Sequence, residues 1–65
     1  MKKGDKGEDV KTLQRKLEEL GWYYDEIDGN FGNHTLEAVV VFQWDKGLSI
    51  DGIVGPETQD ALGMR

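Results

Sequence analysis

The sequence predicts an all-α fold, a compact bundle of three helices, and two observations lead to that prediction. Three segments are predicted helices, residues 8–20, 33–47 and 56–62, because each has apolar residues at helical spacing or residues typical of helix boundaries. In addition, the pattern D-G-x-(apolar)-G-x-x-T occurs twice, as DGNFGNHT at residues 28–35 and as DGIVGPET at residues 51–58. Each copy runs into one of the last two predicted helices, so the chain uses one local pattern to start two helices.

The first predicted helix covers residues 8–20, EDVKTLQRKLEEL. Four apolar residues recur three or four positions apart and form one narrow stripe along a helix: Val10, Leu13, Leu17 and Leu20. Two acids open the segment, where negative charge suits the positive end of the helix dipole. Gly21 follows as a typical helix stop. We therefore expect an amphipathic helix whose stripe faces the core.

The second predicted helix covers residues 33–47, NHTLEAVVVFQWDKG. Its three consecutive valines would also suit a strand, because β-branched residues are frequent in sheets. The segment nevertheless lacks the alternation of a half-buried strand, and it runs on to a glycine stop at Gly47. Its apolar residues cover most directions of a helical wheel, which predicts a central helix. They are Leu36, Ala38, Val39, Val40, Val41, Phe42 and Trp44.

The third predicted helix covers residues 56–62, PETQDAL. Pro56 stands at its first position, where the missing N–H costs no hydrogen bond and the fixed φ suits a helix. Two connectors remain between the helices, WYYDEIDGNFG and LSIDGIVG. Both lack a helical period and both contain an Asp-Gly turn signal.

The repeated pattern predicts a way of turning the chain and starting a helix. Its Asp-Gly pair forms a turn, since Asp bonds to its own local backbone and Gly tolerates positive φ. The apolar residue that follows, Phe31 in the first copy and Val54 in the second, is predicted to be buried as a core plug. Gly32 and Gly55 then mark equivalent helix starts, and each copy places a threonine at the third helical position.

The composition is that of one small acidic domain, predicted to span residues 1–65. Because the chain has no cysteine, its fold depends on packing and well-capped helices, or on a ligand or a parent chain, and not on disulfides. A net charge of −5 argues against nucleic acid or an anionic membrane surface as a partner. No apolar run approaches the ~20 residues of a membrane span. The opening MKKGDKGEDV is unlike a signal peptide, so we expect a mature or excised module.

The motifs, taken in order, resemble the three-helix peptidoglycan-binding domain of bacterial and phage cell-wall hydrolases. They are G-x-x-V-x-x-L-Q, then L-G, then D-G-x-F-G-x-x-T-x-x-A-V-x-x-F-Q, and finally G-L-x-x-D-G-x-V-G-P-x-T. They cover residues 4–62, and although each motif alone is weak, the ordered set at these spacings is specific. Trp44 departs from the family pattern, which more often has a polar residue at that position.

The resemblance implies noncatalytic binding of peptidoglycan, through its glycan strand or its stem peptide. Such binding would bring a covalently linked hydrolase or another cell-wall protein to the wall, in an extracellular or wall-associated location. We expect a monomer with no cofactor, no nucleic-acid partner and no membrane partner. The alternative is a protein-interaction or autoinhibitory module that uses the same fold, because a fold does not determine a function.

Catalysis and metal binding find little support in the residues. Asp28 and Asp51 would suit a glycosidase-like pair of carboxyls, but their identical place in the repeat favours two turn aspartates. His34 is the single histidine and the chain has no cysteine, so a closed zinc site is implausible. The segment DEIDGNFG fails the EF-hand pattern, whose first position would fall on Tyr24, which leaves a weak surface cation site as the alternative. We therefore predict no catalytic residue and no metal ligand.

The predicted ligand-binding residues are Tyr23, Tyr24, Asn30, Gln43 and Trp44. Tyrosine and tryptophan join an apolar face to a polar tip, which suits recognition of sugars and peptides. If the first two helices run antiparallel, these residues are expected to surround one concave patch near a single end of the bundle.

Gln14 and Gln43 have two interpretations, because a buried amide needs partners. The favoured one is structural, with each amide bonded to backbone groups of a connector. In the other, one amide points into a groove and meets a sugar hydroxyl or a peptide carbonyl.

Overall fold

The computed structural model describes residues 1–65 and contains three helices without a β-strand. Helix α1 is Glu8–Glu19, α2 is Asn33–Lys46 and α3 is Pro56–Leu62. An isolated antiparallel bridge joins Lys6 to Asn30. The prediction of an all-α protein with three helices is confirmed, and each helix ends within one residue of the bounds expected from the sequence.

The core lies where the three helices meet the two connectors. Its buried apolar residues are Val10, Leu13, Leu17, Tyr23, Phe31, Ala38, Val39, Phe42, Val54 and Leu62. Three of the four residues in the predicted stripe of α1 belong to this set. The fourth, Leu20, is 50% exposed, so its predicted place in the stripe is wrong. Helix α1 ends at Glu19 and Leu20 is its C-cap, where the backbone no longer continues the helical stripe.

Helix α2 is less central than its apolar composition predicts. It buries Ala38, Val39 and Phe42, whereas Val41 is 45% exposed and Trp44 is 70% exposed. A helix turns by about 100° per residue, so positions 38, 39 and 42 lie on one side of α2 while 41 and 44 lie away from it. The expectation of burial on nearly all sides is therefore wrong, and α2 leaves apolar side chains facing solvent.

Both copies of the repeated pattern have the same local structure. Phe31 and Val54 are buried, as their position in the pattern predicts. Gly32 and Gly55 are the N-caps of α2 and α3, with φ −102° and ψ −162° in the first and φ −93° and ψ −169° in the second. The two helices therefore start from the same extended backbone geometry.

A glutamine from the preceding helix anchors each copy of the pattern. Oε1 of Gln14 accepts a hydrogen bond from the backbone N–H of Gly29 at 2.9 Å. Oε1 of Gln43 accepts the equivalent bond from the N–H of Gly52 at 3.0 Å. Both glutamines and both glycines are buried, so each amide supplies an acceptor to a backbone donor that water does not reach.

The nitrogen of each anchoring amide completes the same arrangement. Nε2 of Gln14 lies 3.0–3.1 Å from the Asp28 carboxylate, the carbonyl of Asn30 and the hydroxyl of Thr35. Nε2 of Gln43 lies at the same distances from the equivalent atoms of Asp51, Ile53 and Thr58. The interpretation that both amides bond to connector backbone is confirmed, and the helix threonines are part of these networks.

The N-terminal segment joins the two plugs through backbone hydrogen bonds. The N–H of Val54 donates to the carbonyl of Met1 at 2.7 Å. The N–H of Gly4 donates to the carbonyl of Phe31 at 2.9 Å. The N–H of Phe31 donates to the carbonyl of Asp5, also at 2.9 Å. Residues 1–5 therefore lie across both connectors and help to hold them side by side.

Gly52→Ala is expected to destabilise the fold by about 2–4 kcal/mol. Gly52 has φ +71°, where a side chain is strained, and an added Cβ would lie 2.6 Å from Cδ1 of Leu36. Gly47→Ala is the matched control, since Gly47 has φ +70° and nothing within 4 Å of an added Cβ. We expect it to cost only the backbone strain, about 1–2 kcal/mol. Equal urea midpoints for the two variants would show that the Leu36 side chain moves aside at no cost, contrary to the expected difference.

Candidate ligand-binding site

The larger surface pocket, of about 600 Å³, lies between the connector that follows α1 and the exposed side of α2. Five consecutive residues at the start of the connector form one wall, residues 21–25. Four residues of α2 form the other wall: His34, Glu37, Ala38 and Val41. The last three follow His34 by three, four and seven positions, which places all four on one face of the helix.

The connector wall is aromatic, and each of its three rings is held differently. Tyr23 is buried, its hydroxyl donates to the carbonyl of Glu26, and burial raises the pKa of its phenol. Trp22 is half-buried and meets Phe42 edge-on at 6.4 Å between ring centroids. Tyr24 is 87% exposed. The wall therefore combines two rings anchored in the fold with one ring free to contact a ligand.

A histidine–carboxylate pair joins the two walls. Nδ1 of His34, in the first turn of α2, is hydrogen-bonded to the Asp25 carboxylate in the connector. Two hydrogen bonds lower the pKa of Asp25. The larger effect comes from the Glu26 backbone N–H and the smaller from His34. The same pairing raises the pKa of His34 above its usual range. Asp25 is thus held as a carboxylate, and its pairing favours the protonated form of His34.

The structure brings only some of the predicted ligand-binding residues together. Tyr23 and Tyr24 line the pocket, whereas Asn30, Gln43 and Trp44 lie outside its walls. Gln43 is fully buried and its amide is engaged in the internal network, so it presents no free group to a ligand. It is nine positions from His34, which turns it to about the opposite side of α2. The single concave patch expected from the sequence is therefore not formed by these five residues.

Sequence reasoning missed four polar or aromatic residues of the pocket: Trp22, Asp25, His34 and Glu37. The available signal was the spacing of His34, Glu37, Ala38 and Val41, which marks one face of a helix. It was hidden because α2 is apolar on most sides, so its pattern does not distinguish a covered face from an exposed one.

The two aspartates of the repeated pattern serve their own turns. Asp28 accepts the backbone N–H of Asn30 and Asp51 accepts that of Ile53, each at 2.9 Å. These backbone hydrogen bonds are the largest cause of the lowered pKa of both carboxyls. A general acid needs a raised pKa, so this environment is the reverse of the one that an acid of a glycosidase pair requires.

No three His, Asp or Glu side chains lie close enough together to hold a metal ion. None of the three helices has both the length and the apolar character that crossing a bilayer requires.

The fold and the pocket define a class, the small three-helix domains with an open pocket on one side. Within that class, the chain belongs to the peptidoglycan-binding domain family, because the family model described as a putative peptidoglycan binding domain matches residues 6–62. Domains of this family occur in cell-wall hydrolases such as amidases and spore cortex-lytic enzymes.

Two curated relatives show the extent of the similarity. The chain is 48% identical over 56 residues to the N-acetylmuramoyl-L-alanine amidase CwlM of Mycobacterium tuberculosis. It is 45% identical over 62 residues to a spore cortex-lytic enzyme of Oceanobacillus iheyensis. The alignments take in 86% and 95% of this chain but only 14% and 22% of those proteins. The chain thus corresponds to a small part of each relative.

Solved structures support the same assignment. The SleB N-terminal domain superposes with a TM-score of 0.95 at 40% identity, covering 97% of this chain and 86% of that chain. The endolysin of Burkholderia phage AP3 superposes with a TM-score of 0.92 at 43% identity, covering 97% of this chain and 24% of that chain.

Proposed function

We propose that the chain binds bacterial peptidoglycan without catalysing a reaction, and that the ligand occupies the pocket between the first connector and α2. The observation that carries this proposal is the aromatic wall of that pocket, in a chain of the peptidoglycan-binding family. Concave sites lined by aromatic side chains with a few polar groups are the usual form of small-ligand sites.

The proposed contacts follow from the exposure of each wall. Tyr24 and Val41 are the exposed apolar groups, and they would pack against sugar faces or peptide methyl groups. Asp25, His34 and Glu37 would meet the polar groups of the ligand and fix its orientation. Tyr23 would act as a rigid floor, since it is buried and hydrogen-bonded.

We further propose that residues 1–65 act as one binding unit that serves a linked cell-wall enzyme outside the cell. The curated relatives carry names of such enzymes, and this chain matches a minor part of each. An open pocket of this size is expected to bind one fragment weakly, with a Kd of about 0.1–1 mM. Linkage to a catalytic domain would then supply effective concentration at the wall.

Tyr24→Ala is expected to weaken binding of muropeptide fragments about tenfold, because the exposed ring contributes a contact surface that alanine lacks. The free energy of unfolding should change by no more than ~0.5 kcal/mol, since the residue is at the surface. The measurement is a titration of soluble muropeptides into labelled protein, following amide chemical shifts.

Trp44→Ala is the matched control, an exposed aromatic residue outside the pocket. The broader patch expected from the sequence predicts weaker binding in both variants, whereas the proposed pocket predicts it for Tyr24→Ala alone. Shifts that cluster away from both walls of the pocket, residues 21–25 and the 34–41 segment of α2, would contradict the pocket. No shifts with fragments or with intact sacculi would overturn wall binding and favour a protein-interaction module.

A further inference from the structure

The carboxylates of the pocket outnumber its possible cations. Asp25 and Glu37 are its carboxylates, and neither lysine nor arginine lines it. His34 is the only group there that can become cationic, and it is already paired with Asp25. A ligand carboxylate placed in this pocket would therefore meet like charge without a free basic partner.

Glu37 is the second carboxylate of the pocket. It is exposed, it lies one turn along α2 from His34, and it makes no ion pair in the structure. The i, i+3 spacing places it on the same face as the His34–Asp25 pair. The pocket thus contains one engaged carboxylate and one that is available to a cation.

The aromatic wall suits the same kind of ligand. The faces of tryptophan and tyrosine attract cations through the ring quadrupole, and Trp22 and Tyr24 are the partly or fully exposed rings of the wall. Val41 adds an exposed apolar surface on the α2 side, against which a short aliphatic chain can pack. A ligand with a positively charged group on a short aliphatic chain would therefore match this pocket in charge and in polarity.

We propose that this pocket recognises a primary ammonium on a short aliphatic side chain, as found in a stem peptide whose diamino acid is not cross-linked. The inference rests on the proposed peptidoglycan-binding function and specifies which part of the polymer is bound. The ammonium lies near Glu37, its aliphatic arm packs on Val41 and Tyr24, and the glycan strand stays outside the pocket.

The test compares two probes that differ in a single charge, the tripeptide L-Ala-γ-D-Glu-L-Lys with its side-chain amine free or acetylated. Titrations into the labelled protein should give about three- to fivefold tighter binding of the free amine, the range of a solvent-exposed ion pair. Glu37→Gln should remove that difference. Glu18→Gln, an exposed acid of α1 outside the pocket, should preserve it.

The possible outcomes separate this inference from the function on which it rests. Equal or tighter binding of the acetylated peptide overturns ammonium recognition while wall binding stands. A preference for the free amine that survives Glu37→Gln overturns the placement of the ammonium beside Glu37. A peptide-free disaccharide that shifts the same pocket amides with equal affinity also overturns ammonium recognition, because the glycan is then the ligand. If peptides, disaccharide and intact sacculi all fail to bind, both proposals fall.

Discussion

Phe31→Ala is expected to lower the free energy of unfolding by about 3 kcal/mol or more. Phe31 is 2% exposed, and it belongs to the buried apolar core. Truncation removes its buried apolar surface and leaves a cavity that the surrounding helices can close only in part. In a chain of 65 residues this loss is a large share of the total stability.

Urea denaturation followed by circular dichroism measures this effect. Tyr24→Ala is the control, because it removes an aromatic ring of similar size that is 87% exposed, and its midpoint should stay close to that of the parent. A Phe31→Ala midpoint equal to the parent's would show that the residue is not a core plug.

Gln43→Met should destabilise the protein by about 2–4 kcal/mol, although methionine has a similar length and is more apolar. The buried N–H of Gly52 loses its acceptor, and the groups bonded to Nε2, including the Thr58 hydroxyl, lose their donor. Leaving buried polar groups unpaired costs about 1–3 kcal/mol each, which outweighs the gain from burying a thioether. Gln14→Met should have a similar effect, since its network has the same geometry.

Gln59→Met provides the control for this substitution. Gln59 is half-buried in α3, and its side chain makes one long hydrogen bond of 3.5 Å to the carbonyl of Val54. The same chemical change there should cost less than about 1 kcal/mol. Were Gln43→Met to keep full stability and lose only ligand binding, its amide would be a recognition group and the structural role would be wrong.

The repeated pattern shows how far local reasoning reaches in this protein. Turn chemistry and helix-start residues predicted that both copies would bend the chain, bury an apolar residue and begin a helix. The hydrogen bonds of Thr35 and Thr58 could not be predicted from the sequence. These threonines accept hydrogen bonds from glutamines 21 and 15 positions earlier in the chain, and no local rule connects residues so far apart.

The pocket between the first connector and α2 is the feature that local reasoning predicts least. Two of its residues, Tyr23 and Tyr24, were predicted as ligand-binding residues, while its histidine and both carboxylates were not. Gln43 and Trp44 are neighbours in the chain, yet one is fully buried and the other is 70% exposed. That difference depends on which side of α2 the remaining chain covers.

The sequence by itself determined the three helices, the two similar helix starts and the burial of Phe31 and Val54. These features depend on spacing, capping and turn chemistry, which act over a few neighbouring residues. Only the tertiary structure decided which side of α2 faces solvent and which residues line the pocket. A helix that is apolar on most sides has several faces that could be buried, and packing against α1 and the connectors selects among them.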